Sequence, residues 1–510
     1  MGGIRRRSAV DIVLIVTAII EQNKYLKRST YLTVTDAEKC FDKLWLLDGI
    51  YELWRCGTDI RDCCMIKKLN EKANVVVKTP VGETEPFLLE DIVRQGSVYG
   101  PQICIASMDK IKLTGRDVVT QYGPNLTIRA VAFVDDLSGA GGRRVADNLI
   151  HNCNIMEESK KMTFNNGNQK TEYMVVAENK KEETQSVTSR IKKGAVQRVA
   201  EHKLVGTWFD ETGDYGINIK KRKEILQFMI STTKHEAHPK NLGRLAVDAR
   251  LKLAEIVNIT SILHNAEAFH QYKEAEIQEL ERIQHSILVG ILEIPKSTPY
   301  YGLLMETGWW TMRGRLAYKK LFVYQNIVTS DNKRVVKKVI KAQIEMKRPT
   351  TWYSSIQQEI ERYSIEMEAA DTIKSTWKRH VKARIGNEME REIREACSKM
   401  RKTRSVKNDK YMKKEYLGCM ELQTVKKVIK ARLHMTKLPG NYKAGGEGEC
   451  LLCNIEKGST EHYFQCPGVS QLVRVWEVQE RDLESQEIDK MKAVANFLEK
   501  VECMLDPMNV

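Results

Sequence analysis

The sequence predicts an α+β fold, and three observations support that class. Residues 31–35 alternate between polar or aromatic and aliphatic side chains, as a β-strand does. An apolar run at 126–133 and a glycine-rich run at 138–142 flank Asp135 and Asp136, which predicts two short strands joined by a tight turn. Long charged stretches within residues 331–440 are typical of helices.

The first expected element is a buried helix within residues 2–22. Arg5, Arg6 and Arg7 precede its apolar run, as in a signal peptide, but Asp11 interrupts the run and no small-residue cleavage site follows. About a dozen apolar residues are too few to span a bilayer. We therefore expect a helix packed inside the protein, and no membrane association.

Three aspartates are candidates for a catalytic metal site. Asp36 falls at the end of the predicted first strand, and Asp135 and Asp136 fall at the hairpin tip. Adjacent carboxylates repel each other and are costly to desolvate unless a cation neutralises them, and oxygen ligands suit Mg²⁺. A third carboxylate at a strand end is what a two-metal phosphoryl-transfer site needs. Read alone, the Asp-Asp pair is more typical of a solvated turn, and Asp36 could be a helix N-cap.

The order of the motifs is more specific than any single motif. Together they resemble the palm of a reverse transcriptase, and more narrowly that of the non-LTR (LINE-type) retrotransposons. Residues 282–321 resemble the post-palm region of these elements, and residues 450–466 resemble their C-terminal zinc motif. The palm motifs follow in the order Asp36 to Asp42, Gln95-Gly96, Phe133 to Asp136, residues 164–174 and residues 202–210.

This resemblance implies a right-hand polymerase palm, an antiparallel sheet with helices, with partial fingers and a helical thumb. It implies an RNA-directed DNA polymerase that takes an RNA template, a DNA primer or target, and dNTPs. Asp36, Asp135 and Asp136 would bind Mg²⁺ (or Mn²⁺). Lys170 would donate a proton to the leaving pyrophosphate or stabilise its charge, although a solvated lysine is the alternative.

Further residues match the nucleotide-binding positions of the family. Phe41 would crowd a ribose 2′-hydroxyl and so select deoxynucleotides, and it could also be a core residue. Gln95 and Gly96 would lie along the incoming nucleotide and template; read alone, they suggest a surface turn. One or more of Arg5, Arg6 and Arg7 would meet the triphosphate, with Arg5 and Arg7 the leading candidates, because guanidinium groups suit phosphate oxygens.

The basic character of the chain is concentrated in one segment. The net charge is +15, and residues 331–440 contain 28 Lys and Arg against 14 Asp and Glu. Residues 399–414 and 425–437 suggest helical basic faces, which are either solvated or bound to nucleic acid; beside a palm we expect nucleic acid. Interleaved aromatic residues could stack on bases or belong to the core. They are Trp352, Tyr353, Trp377 and Tyr411.

A second metal site is expected near the C-terminus. Cys450-x₂-Cys453-x₈-His462-x₃-Cys466 offers three thiolates and one imidazole, the closed tetrahedral pattern of structural Zn²⁺. The remaining cysteines form no paired framework, and without a secretory signal we expect reduced thiols in the nucleus and cytoplasm. The zinc motif would grip RNA or target DNA, or fold the tail.

The expected organisation has five parts. Partial fingers and palm cover residues 1–190, thumb and connection 191–330, the basic helical segment 331–438, the zinc motif 439–475 and an amphipathic tail 476–510. Earlier finger segments and an endonuclease domain are not found, so the sequence resembles the 3′ portion of a longer open reading frame. The alternative function is therefore an inactive remnant that binds RNA or DNA through its basic and zinc segments. The oligomeric state cannot be predicted.

Overall fold

The protein forms two compact units in the computed structural model, each assembled from several stretches of chain. Unit 1 contains residues 1–218, 264–272 and 320–361, and unit 2 contains residues 219–263, 273–319 and 362–510. Helices and mostly antiparallel strands confirm the α+β class. The structure describes residues 7–70, 73–89, 93, 97–111, 114–133, 136–160, 162–165, 170–176, 187, 190–191, 194–236, 247–366, 374–438, 441, 449–485 and 487–505.

The described strands all lie before residue 211, and five of them form the main sheet in the order β13-β10-β1-β9-β8. Only β10 and β13 pair in parallel within this sheet, as far as it is described. The strands are β1 (Thr30–Asp36), β2 (Ala73–Val75), β3 (Lys78–Thr79), β4 (Gly82–Glu83), β5 (Phe87–Leu89), β6 (Val119–Tyr122), β7 (Leu126–Arg129), β8 (Val131–Phe133), β9 (Asp136–Gly141), β10 (Glu172–Val176), β11 (Arg190–Ile191), β12 (Gly194–Ala195), β13 (Gln197–Arg198), β14 (Glu201–Leu204) and β15 (Thr207–Asp210).

Helices surround this sheet and make up most of unit 2. A π-helical turn, Glu255–Ile259, joins α9 to α10. None of the described helices combines the length and apolar composition needed to cross a membrane. The helices are α1 (Ala9–Tyr25), α2 (Cys40–Lys43), α3 (Leu46–Arg55), α4 (Ile60–Asn70), α5 (Gly100–Ile111), α6 (Arg143–Lys160), α7 (Gly216–Glu224), α8 (Leu226–Glu236), α9 (Val247–Ala254), α10 (Thr260–Ile262), α11 (Glu274–Leu292), α12 (Tyr300–Thr307), α13 (Met312–Val328), α14 (Val335–Met346), α15 (Trp352–Arg362), α16 (Lys374–Lys399), α17 (Tyr416–Cys419), α18 (Leu422–Arg432), α19 (Ser470–Trp476) and α20 (Ile488–Leu505).

Strand β1 is the centre of the sheet. The strand predicted from the alternation at residues 31–35 is confirmed, and its first six residues are all buried because both α1 and α6 pack against it. The glycine-rich run also forms a strand, β9. A Cβ atom on Gly139 would come within 3.1 Å of Leu149, and one on Gly141 within 2.8 Å of Val145. These glycines therefore let α6 lie close against the sheet.

Helix α1 confirms the buried helix expected near the N-terminus, and it ties distant parts of unit 1 together. Ser8 and Asp11 form a capping box at its start. Arg334 Nη2 lies 2.6 Å from both carboxylate oxygens of Asp11, and both side chains are buried. Thr17 Oγ1 donates to the carbonyl of Ala268 at 3.1 Å. Unit 1 is thus held together by residues that are far apart in sequence.

In unit 2, the C-terminal residues pack into a small core of their own. Helix α20 buries one face, and that face belongs to the same hydrophobic cluster as Cys450, Tyr463 and Cys466. Part of α18 joins this cluster through Ala431. Cys450 and Cys466 of the predicted zinc motif are therefore core residues of this part of the protein, and Cys453 packs against them partly buried.

Candidate active site and Cys–His cluster

Asp36 and Asp136 lie directly opposite each other at one end of the main sheet. Asp36 is the last residue of β1, Asp136 is the first of β9, and the antiparallel register pairs them. Phe133 of β8 pairs with Asp136, as expected for a tight hairpin. Opposite residues of an antiparallel pair have Cβ atoms about 4.5–5.5 Å apart, so two carboxylates share one small region. Asp135, at the expected hairpin tip, lies outside the described residues.

The carboxylate of Asp36 has two described donors besides the sheet. Lys170 Nζ lies 3.3 Å from Oδ2 and 3.4 Å from Oδ1, and Asn165 Nδ2 donates to Oδ2 at 2.5 Å. The Asp36 side chain is 21% exposed and that of Lys170 is 48% exposed. The N-cap alternative for Asp36 is wrong, because the next helix begins at Cys40 with Lys39 as its N-cap. Asp36 instead pairs with the Lys170 ammonium, and its role in metal binding stays a prediction.

Residues 164–165 and Thr171 lie against the end of β1. Phe164 forms a bridge with Ala37, and the backbone N–H of Asp36 donates to Thr171 Oγ1 at 3.3 Å. The sequence motif drew attention to Lys170 alone, and Asn165 was missed. Its only signal in the sequence is its position beside Phe164 in the same motif.

Phe41 lies on α2 and is half-buried against the core of the sheet region. Its carbonyl accepts a hydrogen bond from the N–H of Val93 at 3.3 Å. The core reading of Phe41 therefore holds, and it does not exclude a role beside the nucleotide. Gln95 and Gly96, two and three residues after Val93, lie outside the described residues.

Of the N-terminal arginines, Arg5 and Arg6 lie outside the described residues. Arg7 is half-buried and directly precedes Ser8, the N-cap of α1. The hydrogen bonds described around the Asp36 carboxylate come from Asn165 and Lys170, and Arg7 is not among their donors. The triphosphate role of these arginines therefore stays a prediction.

The four residues of the predicted zinc motif are brought together. The ligand atoms of Cys450, Cys453, His462 and Cys466 all lie within 4.8 Å of one another. Cys450 Sγ is 3.6 Å from Cys466 Sγ, and Cys453 Sγ is 3.3 Å from His462 Nε2. The cluster depends on a tight turn in which the N–H groups of Cys453 and Asn454 both donate to the Cys450 carbonyl.

The surroundings of the cluster favour a metal ion. His462 Nδ1 lies 3.2 Å from Glu456 Oε2, which leaves Nε2 directed at the thiols, the arrangement that carboxylates give to metal-binding histidines. The backbone hydrogen bond from Ile455 lowers the pKa of the Cys453 thiol to about 7. Burial raises the pKa of the Cys466 thiol to about 12, so a metal would be needed to keep it as a thiolate.

Two cations of the basic segment are buried within unit 2. Arg432 is 2% exposed, its Nε donates to Glu306 Oε1 at 2.7 Å, and its Nη2 donates to Asp409. Lys414 Nζ lies 3.0 Å from Asp409 Oδ2, and Tyr416 donates to Glu306 Oε2 at 2.9 Å. These charges stabilise the interior of unit 2 and are not accessible to a phosphate backbone.

The prediction of a helical basic face at residues 399–414 is wrong. The described chain has a 3₁₀ turn at Arg401–Thr403 and then non-helical turns up to α17. Thr403 Oγ1 donates to the carbonyl of Cys397 at 2.6 Å, which helps to end α16. The following residues then bring Asp409 and Lys414 to Arg432, a geometry that a continuous helix would not give.

The second basic stretch is helical as far as Arg432, in α18, but two of its lysines, Lys426 and Lys427, have carboxylate partners. Lys426 Nζ lies 2.6 Å from Glu293 and Lys427 Nζ lies 2.7 Å from Glu499. Helix α16 differs, because Arg379 and Lys382 are exposed on its first half. Its other face is buried through a stripe at helical spacing: Trp377, Val381, Ile385, Met389, Ile393 and Cys397.

The aromatic residues of the basic segment are mainly core residues. Trp352 and Trp377 are 0% and 1% exposed. Tyr411 donates to the carbonyl of Trp309 at 2.5 Å, and Tyr353 packs against Tyr324 with ring centroids 6.1 Å apart. Base stacking on these side chains is therefore not supported, and the core alternative is the correct one for both tryptophans.

Comparison with known families agrees with the geometry of the sheet. Residues 2–201 match the family model described as reverse transcriptase (RNA-dependent DNA polymerase). These residues include both described aspartates and Lys170. A search of curated proteins found no match.

Proposed function

We propose that the chain is the RNA-directed DNA polymerase of a non-LTR (LINE-type) retrotransposon, because residues 2–201 match the reverse transcriptase family model. It extends a DNA primer on an RNA template with dNTPs. The observation that carries the proposal is the pairing of Asp36 with Asp136 across β1 and β9, with Lys170 against Asp36. The retrotransposon type is supported by the order of the motifs and by the Cys–His cluster beyond them.

The aspartate site fits a divalent cation. Asp36 and Asp136 bring two carboxylates to one sheet end, and the Lys170 ammonium lies against one of them, Asp36. Asp36, Asp135 and Asp136 would hold Mg²⁺ or Mn²⁺ through oxygen ligands. Bound there, such ions supply activation of the primer 3′-hydroxyl and neutralisation of phosphate charge.

The protein's own residues then position the reactants and move a proton. Lys170 Nζ, held at the edge of the site, donates a proton to the leaving pyrophosphate or stabilises its charge. Phe41 limits the space beside the sugar and so favours dNTPs over rNTPs. Gln95 and Gly96 lie along the nucleotide and template, and one or more of Arg5, Arg6 and Arg7 contacts the triphosphate. Catalysis is mainly orientation and electrostatic stabilisation.

The Cys–His cluster is proposed to bind one Zn²⁺. Three thiols and an imidazole within 4.8 Å of one another form a closed ligand set without an open position, which indicates a structural ion. Its place in the C-terminal hydrophobic cluster means that the ion would hold the α20 region together.

Nucleic acid is proposed to contact the exposed basic half of α16, including Arg379 and Lys382. Neutralisation of backbone phosphates supplies affinity that does not depend on base sequence. Lys414 and Arg432 are excluded from this surface because both are buried. The protein is expected in the nucleus and cytoplasm, where template and target would be met.

The test is primer extension on an RNA template with Mg²⁺ or Mn²⁺. We expect extension that Asp135→Ala abolishes while RNA binding is retained, because the substitution removes a metal ligand without changing the basic surface. Asp117→Ala is the matched control, since that side chain is 81% exposed. If the unmodified chain binds RNA but never extends a primer, the inactive-remnant alternative replaces the enzyme.

A further inference from the structure

Asn165 is fixed beside Asp36 through its backbone, although the motif pattern assigns it no role. Its N–H donates to the Asp36 carbonyl at 2.9 Å, and its own carbonyl accepts from the N–H of Thr171 at 3.1 Å. The neighbouring bridge between Ala37 and Phe164 holds the same segment against the end of β1. The Asn165 side chain therefore leaves the backbone at a defined point next to the Asp36 carboxylate.

From this position the Asn165 carboxamide donates a hydrogen bond to the Asp36 carboxylate. Its Nδ2 donates to Asp36 Oδ2 at 2.5 Å, while Lys170 Nζ lies at 3.3 Å from Oδ2 and 3.4 Å from Oδ1. An ionised carboxylate has about four lone-pair sites, so a donor on Oδ2 restricts the carboxylate plane and leaves acceptor capacity on both oxygens. The Asn165 donor is uncharged, so it leaves the negative charge of Asp36 available to a cation.

From this geometry we infer that Asn165 is a positioning residue that orients Asp36 for a divalent cation, an inference that rests on the proposed function. A hydrogen-bond partner of a metal-ligating carboxylate fixes its rotation and tunes the affinity for the ion. Without the carboxamide, Asp36 is free to turn towards Lys170, and their ion pair then competes with the metal. Asn165 itself touches neither substrate nor reacting atoms.

The experiment uses the full chain with Asn165→Ala and Asn165→Leu; the leucine keeps the side-chain size and removes the donor. Thr163→Val is the matched control. Thr163 Oγ1 bonds Glu38 at 2.9 Å and Lys43 at 2.7 Å in the same segment, and its hydrogen bonds do not include Asp36. Mn²⁺ binding is measured by electron paramagnetic resonance without nucleic acid. The binding that is lost in Asp36→Ala is the binding at the aspartate site.

Both Asn165 variants should bind Mn²⁺ about 10–100-fold more weakly, the usual loss for an outer-shell partner. In primer extension they should need correspondingly more Mg²⁺ for half-maximal rate, and the rate should recover at saturating metal. RNA affinity and the thermal midpoint should not change. The Thr163→Val variant should match the unmodified protein in Mn²⁺ affinity, in its Mg²⁺ requirement and in RNA affinity.

Unchanged Mn²⁺ affinity in both Asn165 variants would overturn the inference. So would an equal loss in the Thr163→Val variant, which would mean that the segment matters only for folding. If the unmodified chain binds Mn²⁺ through Asp36 but extends no primer, the polymerase proposal fails and the role of Asn165 stands. If no Mn²⁺ binding depends on Asp36, both fail together.

Discussion

The aspartate site and the Cys–His cluster both have the ligands for a cation, but they are assembled in different ways. Asp36 and Asp136 come from different strands and meet only because β1 pairs with β9. The four residues of the cluster lie between positions 450 and 466 and meet through local turns. We therefore expect the sheet to form before an ion binds, and the cluster to need its proposed ion in order to fold. One ion would serve chemistry and the other would serve structure.

The largest effect expected from this difference is on zinc removal. A strong zinc chelator, or Cys453→Ser, should unfold the α20 region, because structural zinc contributes about 10–16 kcal/mol in zinc-finger peptides. Hydrogen exchange should rise in α20 and remain slow in β1 and β9. Metal analysis should find about one zinc per chain, and Cys419→Ser, at an exposed cysteine, is the control.

Two results would contradict this difference between the aspartate site and the Cys–His cluster. A disulfide between Cys450 and Cys466 in mass spectra would show that the cluster is not a metal site. If zinc removal increased hydrogen exchange equally in β1 and α20, zinc would stabilise more of the protein than the residues around the cluster.

A smaller effect is expected from breaking the buried ion network. Glu306→Gln should lower the free energy of unfolding by about 3–5 kcal/mol, because it leaves the buried Arg432 without one of its two carboxylate partners. Urea unfolding measures this, and Arg379→Gln, on an exposed face, is the control. RNA affinity of the folded Glu306 variant should be unchanged; a weaker affinity without a stability loss would mean that Arg432 contacts nucleic acid.

Phe41→Val should change sugar selection by about 10–100-fold, which corresponds to about 1–3 kcal/mol of discrimination. Incorporation of rNTPs should rise while dNTP use is largely kept, and competition assays with both nucleotides measure the ratio. Phe209→Leu, a fully buried core change elsewhere in unit 1, controls for loss of stability. If Phe41→Val and Phe209→Leu lower activity equally and the sugar preference does not change, Phe41 is a core residue without a role in sugar selection.

The smallest effect concerns the exposed half of α16. Changing Arg379 and Lys382 to Gln should reduce the slope of log affinity against log salt by about 0.7 per lost phosphate contact on single-stranded RNA. Changing Lys426 and Lys427 to Gln should leave the slope nearly unchanged, because both already pair with carboxylates. If the two double variants showed the same salt dependence of RNA affinity, the proposal that α16 contacts nucleic acid would be wrong.

The same contrast explains what the sequence could predict. The cluster follows from spacing alone, since its ligands are neighbours in the chain. The strand that ends at Asp36 and the hairpin at Asp136 can be predicted from local patterns. The order of the motifs, through the family resemblance, then assigns both aspartates to one site. Asn165 was missed because its role appears only when the segment around Phe164 lies against Ala37.

The basic segment shows where local patterns mislead. Lys414 and Arg432 have the composition of a binding surface, but their partners include Glu306, which lies 126 residues before Arg432. No periodicity within residues 399–437 can show that these cations are buried. Trp377 is easier to assign afterwards, because it begins the apolar stripe of α16 at helical spacing.

The ion pair between Asp11 and Arg334 has a consequence for how this protein can be divided. The pair joins residues 323 apart in the chain, and α1 also bonds to Ala268. A fragment that ends at residue 201, or even at 330, would keep every candidate catalytic residue and still lose Arg334. It would bury the Asp11 carboxylate without its counter-ion, or expose the apolar face of α1 to water. The smallest autonomous fragment that retains the aspartate site therefore extends well beyond the stretch that sequence similarity marks as the domain.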